Sequence, residues 1–227
     1  MKIKANIHDA VCNPTKPWPD LIVDKSDIEG AGNGLFSNKF IPKGRPICEY
    51  KGDILSNEQV NALGIENQFY ILALGDPPML DLGGKVLTTI NADPEKAKEI
   101  GFGGFANDLH TKYPEEIIKA MDKASSLGKA FREKLGTFIH SLDFNKKLSH
   151  KNRKTLRKEM KKVARAEAGV TASYASNGYN ATYIRIEGLP CFMLMSIKEI
   201  YPGDEIYVPY GPGYWKAYNE QKANTKD

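Results

Sequence analysis

The stretch "IKEIYPGDEIYVPYG", residues 197–211, decides how this chain is read. It opens as a "PGD" turn and a strand. With the "PGYW" that follows, it then crowds Tyr207, Tyr210, Tyr214 and Trp215 among glycines and prolines. Working outward, "NATYIRIEGLPCFMLMSIKEIYPGDEIYVPY" reads as three strands separated by "EG" and "PGD". Its most apolar part, "LPCFMLMSI", is far too short to cross a bilayer and reads as a buried strand. Residues 20–110 have the same character. "DLIVDKS", "RPICEYKGDIL" and "FYILALG" are strand-like runs, and "EGAGNG" and "IPKG" are turn signals.

Between these β segments the period changes. "YPEEIIKAMDKASSL" puts Pro114 and two glutamates in a first helical turn, with Tyr113, Ile117, Met121 and Ala124 on one face. Phe131, Leu135, Phe138, Ile139 and Leu142 carry the helical spacing past Gly128 and Gly136. Leu148, Leu156, Met160 and Val163 then form a thin apolar stripe in a cationic segment. The expected fold is therefore mostly β with an inserted α-helical subdomain. It divides into residues 19–110, a helical insertion 111–176 that is basic in its second half, residues 177–215, and a tail 216–227 that includes a short helix.

Composition narrows the function classes. The 227 residues carry a net charge of +4, unevenly spread. From Asn145 to Ala168 there are ten Lys and Arg against two Glu, a block of +8 that leaves −4 on the rest. Cys12, Cys48 and Cys191 are scattered, which argues against a zinc site or a disulfide framework and for a reducing compartment. The first twenty residues are polar and hold no signal-peptide core. The expectation is a cytoplasmic or nuclear protein with no metal and no membrane partner.

Four stretches, in order, resemble the SET-domain family of protein lysine methyltransferases: "SDIEGAGNGLFSNKFIPKGRPICEYKGDIL", "GFGGFANDLH", "GYNATY" and "IKEIYPGDEIYVPYG". The resemblance covers residues 19–110 and 177–215. It implies small sheets with a knot-like threaded C-terminal strand, and methyl transfer from S-adenosylmethionine to a lysine of a protein substrate, with a histone as the family's habitual target. By the same resemblance Tyr210 is the catalytic tyrosine, and Tyr50 and Tyr183 line the lysine channel. Gly32, Asn33 and Gly34 offer backbone groups to the cofactor, Asn107 and Asp108 contact it, and Trp215 stacks on its adenine. The chemistry suits these residue types. The site must desolvate a lysine, help it lose a proton and aim its lone pair, and tyrosines give a narrow channel both apolar walls and orienting hydroxyls. A hydroxyl on Tyr183 beside Val208 favours monomethylation. Tyr207 and Tyr214 receive no role.

Two departures from the family pattern stand out. Asp108 replaces the family's histidine, and about seventy residues separate Asn107 from Asn180 where the family has a handful. The insertion must leave and return with its ends close together. An alternative alignment makes Asn177 the cofactor asparagine, but "GGFAND" keeps the preceding pattern and favours Asn107. The basic block 145–168 would attract nucleic acid or an acidic partner, or be a solvated helix face. Aside from His150 it holds no aromatic that could stack on bases. Two further readings stay open: a catalytically silent SET-like binding module, and a basic nucleic-acid-binding protein on a β scaffold.

Overall fold

The computed structural model describes residues 20–62, 71–73, 79–80, 86–87, 89–91, 102–140, 149–186 and 192–224. They fall into two compact units: residues up to 111 together with those from 178 onward, and residues 112–177. Cys12, Cys191, Leu142, Leu148 and the basic residues before Ser149 lie outside the described residues.

The first unit is built of small sheets. Strands β1 (Leu21–Lys25) and β2 (Asn33–Ser37) pair antiparallel, Leu21 opposite Ser37. The turn joining them needs Gly30 and Gly32, whose φ angles of +79° and +75° suit glycine alone. After β3 (Pro46–Tyr50) and β4 (Asp53–Leu55) comes a short helix, α1 (Asn57–Ala62). Too brief to show a helical period, α1 is started by a capping box. The Gln59 N–H donates to Ser56 Oγ at 3.4 Å, and the Ser56 N–H donates to Gln59 Oε1 at 3.0 Å. Strands β5 (Ile71–Ala73), β6 (Met79–Leu80), β7 (Val86–Leu87) and β8 (Thr89–Asn91) follow. They form a sheet of order β4-β8-β5 and a β6-β7 pair.

The core sheet joins β3 to two strands from beyond residue 178, β9 (Ala181–Arg185) and β10 (Phe192–Ser196), in the order β3-β10-β9. Both pairings are antiparallel. Every residue of β10 is buried, so its sequence is a continuous apolar run rather than an alternation. Leu35, Cys48, Leu194, Ile200, Ile206 and Val208 are fully enclosed around it. Burial pushes the Cys48 thiol far above its ordinary pKa, so it packs as an inert apolar group.

The expected third strand, within residues 203–210, is extended backbone that makes only single bridges, Phe36 to Glu205 and Asn107 to Tyr207. Its partner changes partway along. The Gly203 N–H donates to Ser37 O (2.7 Å), Ile206 to Leu35 O (2.6 Å) and Val208 to Asn107 O (2.9 Å), while the Tyr207 carbonyl accepts from the Ala181 N–H (3.1 Å). The bonds of the Gly203 N–H, the Asp204 carbonyl and the Ile206 N–H all fall on β2, and those of the Tyr207 carbonyl and the Val208 N–H go to β9 and Asn107. This segment nonetheless ties β2, β9 and the 107 region into one body.

The second unit is a pair of long helices, α2 (Glu115–His140) and α3 (His150–Ser176). The Pro114 carbonyl accepts from the Ile117 and Ile118 N–H groups at 3.1 and 3.3 Å, and Glu115 and Glu116 occupy the first turn. Ser149 caps α3 by accepting from the Asn152 N–H at 3.2 Å. The pair runs antiparallel: Tyr174 reaches Met121, and Glu159 pairs with Lys134 at 3.5 Å. A last helix, α4 (Pro212–Asn224), returns to the first unit. It starts after Gly211, whose φ is +96°, and continues through Trp215 into residues 216–224 of the expected tail. No described helix is long and apolar enough to cross a membrane.

Gly34 shows how tightly this core is keyed. A Cβ there would sit 2.8 Å from Glu205 Cδ and 3.2 Å from the Ser26 Cα. Gly34→Ala is expected to displace the buried Glu205 carboxylate and lower stability by about 3 kcal/mol. The check is the urea midpoint followed by Trp215 fluorescence in a Trp18→Phe background; an unchanged midpoint would show that Glu205 has room to yield.

Candidate active site

Six of the nine anticipated site residues line one cavity of about 690 Å3 in the first unit: Gly32, Asn33, Asn107, Asp108, Tyr210 and Trp215. The β1–β2 turn forms one wall and α4 the other, with Tyr214, Tyr218 and Lys222 added from α4. Gly34 is not on this lining; it lies in β2 opposite Asp24 and leaves room for Glu205. Tyr50 and Tyr183 are also absent from it and stand edge to face with each other, ring centroids 5.3 Å apart. Asn177 takes no part. It ends α3 in the other unit, where its amide donates to Ser173 O at 2.8 Å.

Asp108 is 6% exposed, and its carboxylate is saturated by groups of the chain itself. Oδ2 accepts from the Tyr210 N–H at 2.8 Å and from Trp215 Nε1–H at 2.9 Å. Oδ1 accepts from the His110 N–H at 3.1 Å and from the Tyr179 hydroxyl in a short hydrogen bond. Tyr179 is fully buried, and its ring also meets His110 edge to face at 5.5 Å. The side chain that departs from the family histidine thus fixes the backbone of Tyr210 and the indole of Trp215 together. Trp215 stacks against Tyr210 at 6.2 Å and 15°, and Tyr214 packs across both. Lys222 Nζ sits 5.5 Å from the centre of the Tyr218 ring, a cation–π contact that closes the cluster.

Glu205 is another buried carboxylate, 3% exposed. Oε1 accepts from Ser26 Oγ (2.7 Å) and Asn107 Nδ2 (3.1 Å); Oε2 accepts from the Asp27 N–H (2.7 Å) and the Tyr207 hydroxyl (3.1 Å). Burial, with the Glu205 charge beside it, pushes the Tyr207 phenol well above its ordinary pKa, so it stays a neutral donor. Asn107 also donates to Asn33 O at 3.0 Å. Both its N–H groups are therefore engaged, and its side-chain carbonyl is the polar atom it has left to offer. The cavity suits a small polar ligand with a flat ring: backbone approached through glycine, an amide acceptor, aromatic faces, and a volume inside the range of about 300–1,000 Å3 usual for such sites.

The three tyrosines converge on one short turn. Gly103–Phe105 forms a single 3-10 turn. Its Gly103 carbonyl accepts from the Tyr183 hydroxyl at 3.3 Å, and the next residue's carbonyl, Ala106 O, accepts from the Tyr210 hydroxyl at 2.8 Å. Burial raises the Tyr183 phenol well above its ordinary pKa, with Tyr210 and Tyr50 nearby adding to the rise. Among the described residues, no group of three or more His, Cys, Asp or Glu side chains is placed to hold a metal ion.

Sequence reading missed Glu205, Tyr179, Tyr214 and Tyr218. An acid inside "DEIYVPY" was a readable signal for Glu205, because a charge in a buried segment demands partners. Tyr179 had none, because its partner lies 71 residues away.

No match is found among curated protein sequences. Among solved structures, the methyltransferase domain of human PR domain-containing protein 2 is similar, with 13% identity and a TM-score of 0.41 over 90% of this chain and 83% of that one. The family model described as "SET domain" matches residues 32–211, from the glycine turn through the tyrosine that Asp108 holds to the bend after it. The chain belongs to the SET-domain family.

Proposed function

We propose that this protein is an S-adenosylmethionine-dependent protein lysine methyltransferase. The observation that carries the reading is the placement of Tyr210. Its hydroxyl is pinned to Ala106 O and its backbone to Asp108, on the wall of the cavity formed by the glycine turn, Asn107 and Trp215. The cofactor supplies a methyl on a sulfonium, an electrophile that needs only an aimed, neutral amine. Gly32 and Asn33 would approach it with backbone, Asn107 would offer its side-chain carbonyl to the ammonium of its amino-acid end, and Trp215 would flank its base.

The chain's own residues do the rest. A lysine entering beside Tyr50 and Tyr183 leaves water, which lowers its pKa from about 10.4 toward the neutral form. Tyr183 remains an un-ionised phenol, because its raised pKa keeps the proton on to high pH; it orients the amine and does not act as a base. With its own proton committed to Ala106 O, the Tyr210 oxygen presents lone pairs, which suit an amine N–H or a polarised methyl C–H. A basic protein tail such as a histone's is the substrate favoured by the −4 carried outside residues 145–168.

Asp108 is a positioning residue in this scheme. Labelled S-adenosylmethionine incubated with mixed histones is expected to transfer label to lysine. Tyr210→Phe, which keeps the ring and removes the lone pairs, should lower the rate about 100-fold, or ~2.7 kcal/mol in the barrier. Cofactor binding by calorimetry without labelling would reassign the protein as a binding module, and neither would overturn the reading altogether.

A second expectation separates Asp108→Asn from Asp108→Ala. The amide can keep its oxygen toward Tyr210 and Trp215 and turn its NH2 to the Tyr179 hydroxyl, which can reverse to accept, while the His110 N–H loses its acceptor. The rate should therefore fall about tenfold for Asn and 100-fold or more for Ala. In the Trp18→Phe background, Trp215 emission should shift to the red only in Ala. Equal rates for the two variants would show that the carboxylate's contacts do not position Tyr210.

A further inference from the structure

One face of α3 is used neither by the cavity nor by the helix pair. Among the described residues, His150, Arg153, Lys154, Arg157, Lys158 and Lys161 line a surface concavity of about 490 Å3. At ~100° per residue they fall within an arc of about 140°. All six are exposed, and among the described residues none is ion-paired. The acid of this stretch, Glu159, lies on the opposite side, where Lys134 and Lys162 hold it. A hydrogen bond from Lys162 is the main reason its carboxyl titrates below the ordinary range. The helix N-terminus, capped by Ser149, adds partial positive charge at the His150 end.

We propose that this face binds duplex nucleic acid through its phosphate backbone, without reading bases. The six residues span about 17 Å of helix axis, and duplex DNA carries one negative charge per ~1.7 Å, so a stretch of equal length presents about ten phosphates. A helix meets one side of a duplex, so the five Lys and Arg of this face would meet about half of the phosphates along its length. Single-strand binding would call for aromatic side chains to stack on bases, and the face has none besides His150. Lying on a lipid surface would call for an exposed apolar face. In α3 the larger apolar residues are on the other side or at the edge: Leu156 and Val163 are partly buried and Met160 is exposed at the edge, and the exposed apolar residues in the basic arc are alanines. The inference does not depend on the methyltransferase reading, since its readout needs no cofactor.

The test uses the full chain and a labelled 24-base-pair mixed-sequence DNA duplex, followed by anisotropy from 50 to 200 mM salt. Two charge-matched variants are compared: Arg153→Gln/Arg157→Gln/Lys161→Gln on the face, and Lys25→Gln/Lys43→Gln/Lys198→Gln in the other unit. The parent should bind with affinity falling linearly in log salt. The face variant should lose at least about tenfold in affinity and about 2 to 3 in slope, while the control stays within about twofold of the parent. The proposal is overturned by absence of binding in the parent or by equal losses in the two variants. It is equally overturned if a single strand, phosphatidylserine vesicles or polyglutamate compete better than unlabelled duplex at the same salt.

Discussion

The carboxylate of Asp108 is the constraint on which the candidate site depends. A buried charge costs several kcal/mol unless its lone pairs are filled, and charge-assisted hydrogen bonds contribute about 1.5–3 kcal/mol each. Asp108 fills both oxygens with Tyr179, His110, Tyr210 and Trp215. Satisfying it therefore requires three regions to be in place at once: the 108–110 corner, the start of the returning chain, and the bend into α4. An imidazole at this position offers at most one acceptor and would leave most of these donors unpaired. Asp108, Tyr179 and Trp215 thus make physical sense as a set, not as three separate choices.

The turn at Gly103 imposes a second constraint of the same kind. A Cβ on Gly103 would lie 2.7 Å from Glu49 O and 2.9 Å from the Tyr50 Cα, so only glycine lets the turn sit against β3. That contact sets how far the turn's carbonyls stand from the core sheet. Tyr50 comes from β3 and Tyr183 from β9, two strands separated by β10. Tyr210 comes from the extended segment on the other side. The Gly103 and Ala106 carbonyls give two of the three hydroxyls a common reference, so a shift of the turn would move both.

Much of this was legible in the sequence, and the reasons for the rest are physical. The order of motifs marked the family, the apolar run at 189–197 marked the central strand, and Pro114 with its two glutamates marked the start of α2. Local chemistry governs each of these. The segment 203–210 was expected as a strand because its composition is that of one, yet strand identity depends on having a continuous neighbour, and its neighbour changes partway from β2 to β9 and Asn107. Asp108 read as a loss relative to histidine because its donors lie up to 107 residues away. The space that Gly34 frees for Glu205 was not readable either, because Glu205 lies far along the chain. Sequence spacing reports contacts within a turn or a strand; it cannot report who arrives from the far side of a 66-residue excursion.

That excursion is cheaper than its length suggests. Loop-closure free energy rises by only ~0.6 kcal/mol per doubling, so extending a connection from about six residues to 66 adds about 2 kcal/mol. A pair of antiparallel helices costs less again, because its ends are held near each other by the hairpin itself. Across the junction, within the first unit, Tyr179 bonds Asp108 and packs on His110, and a Cβ on Gly178 would meet Leu109 Cδ1 at 3.1 Å. One charge-assisted hydrogen bond in a buried setting is enough to offset a penalty of that size. The clasp that closes this excursion is therefore the same carboxylate that holds the Tyr210 backbone, so the 66 residues between the two halves of the first unit need not loosen it.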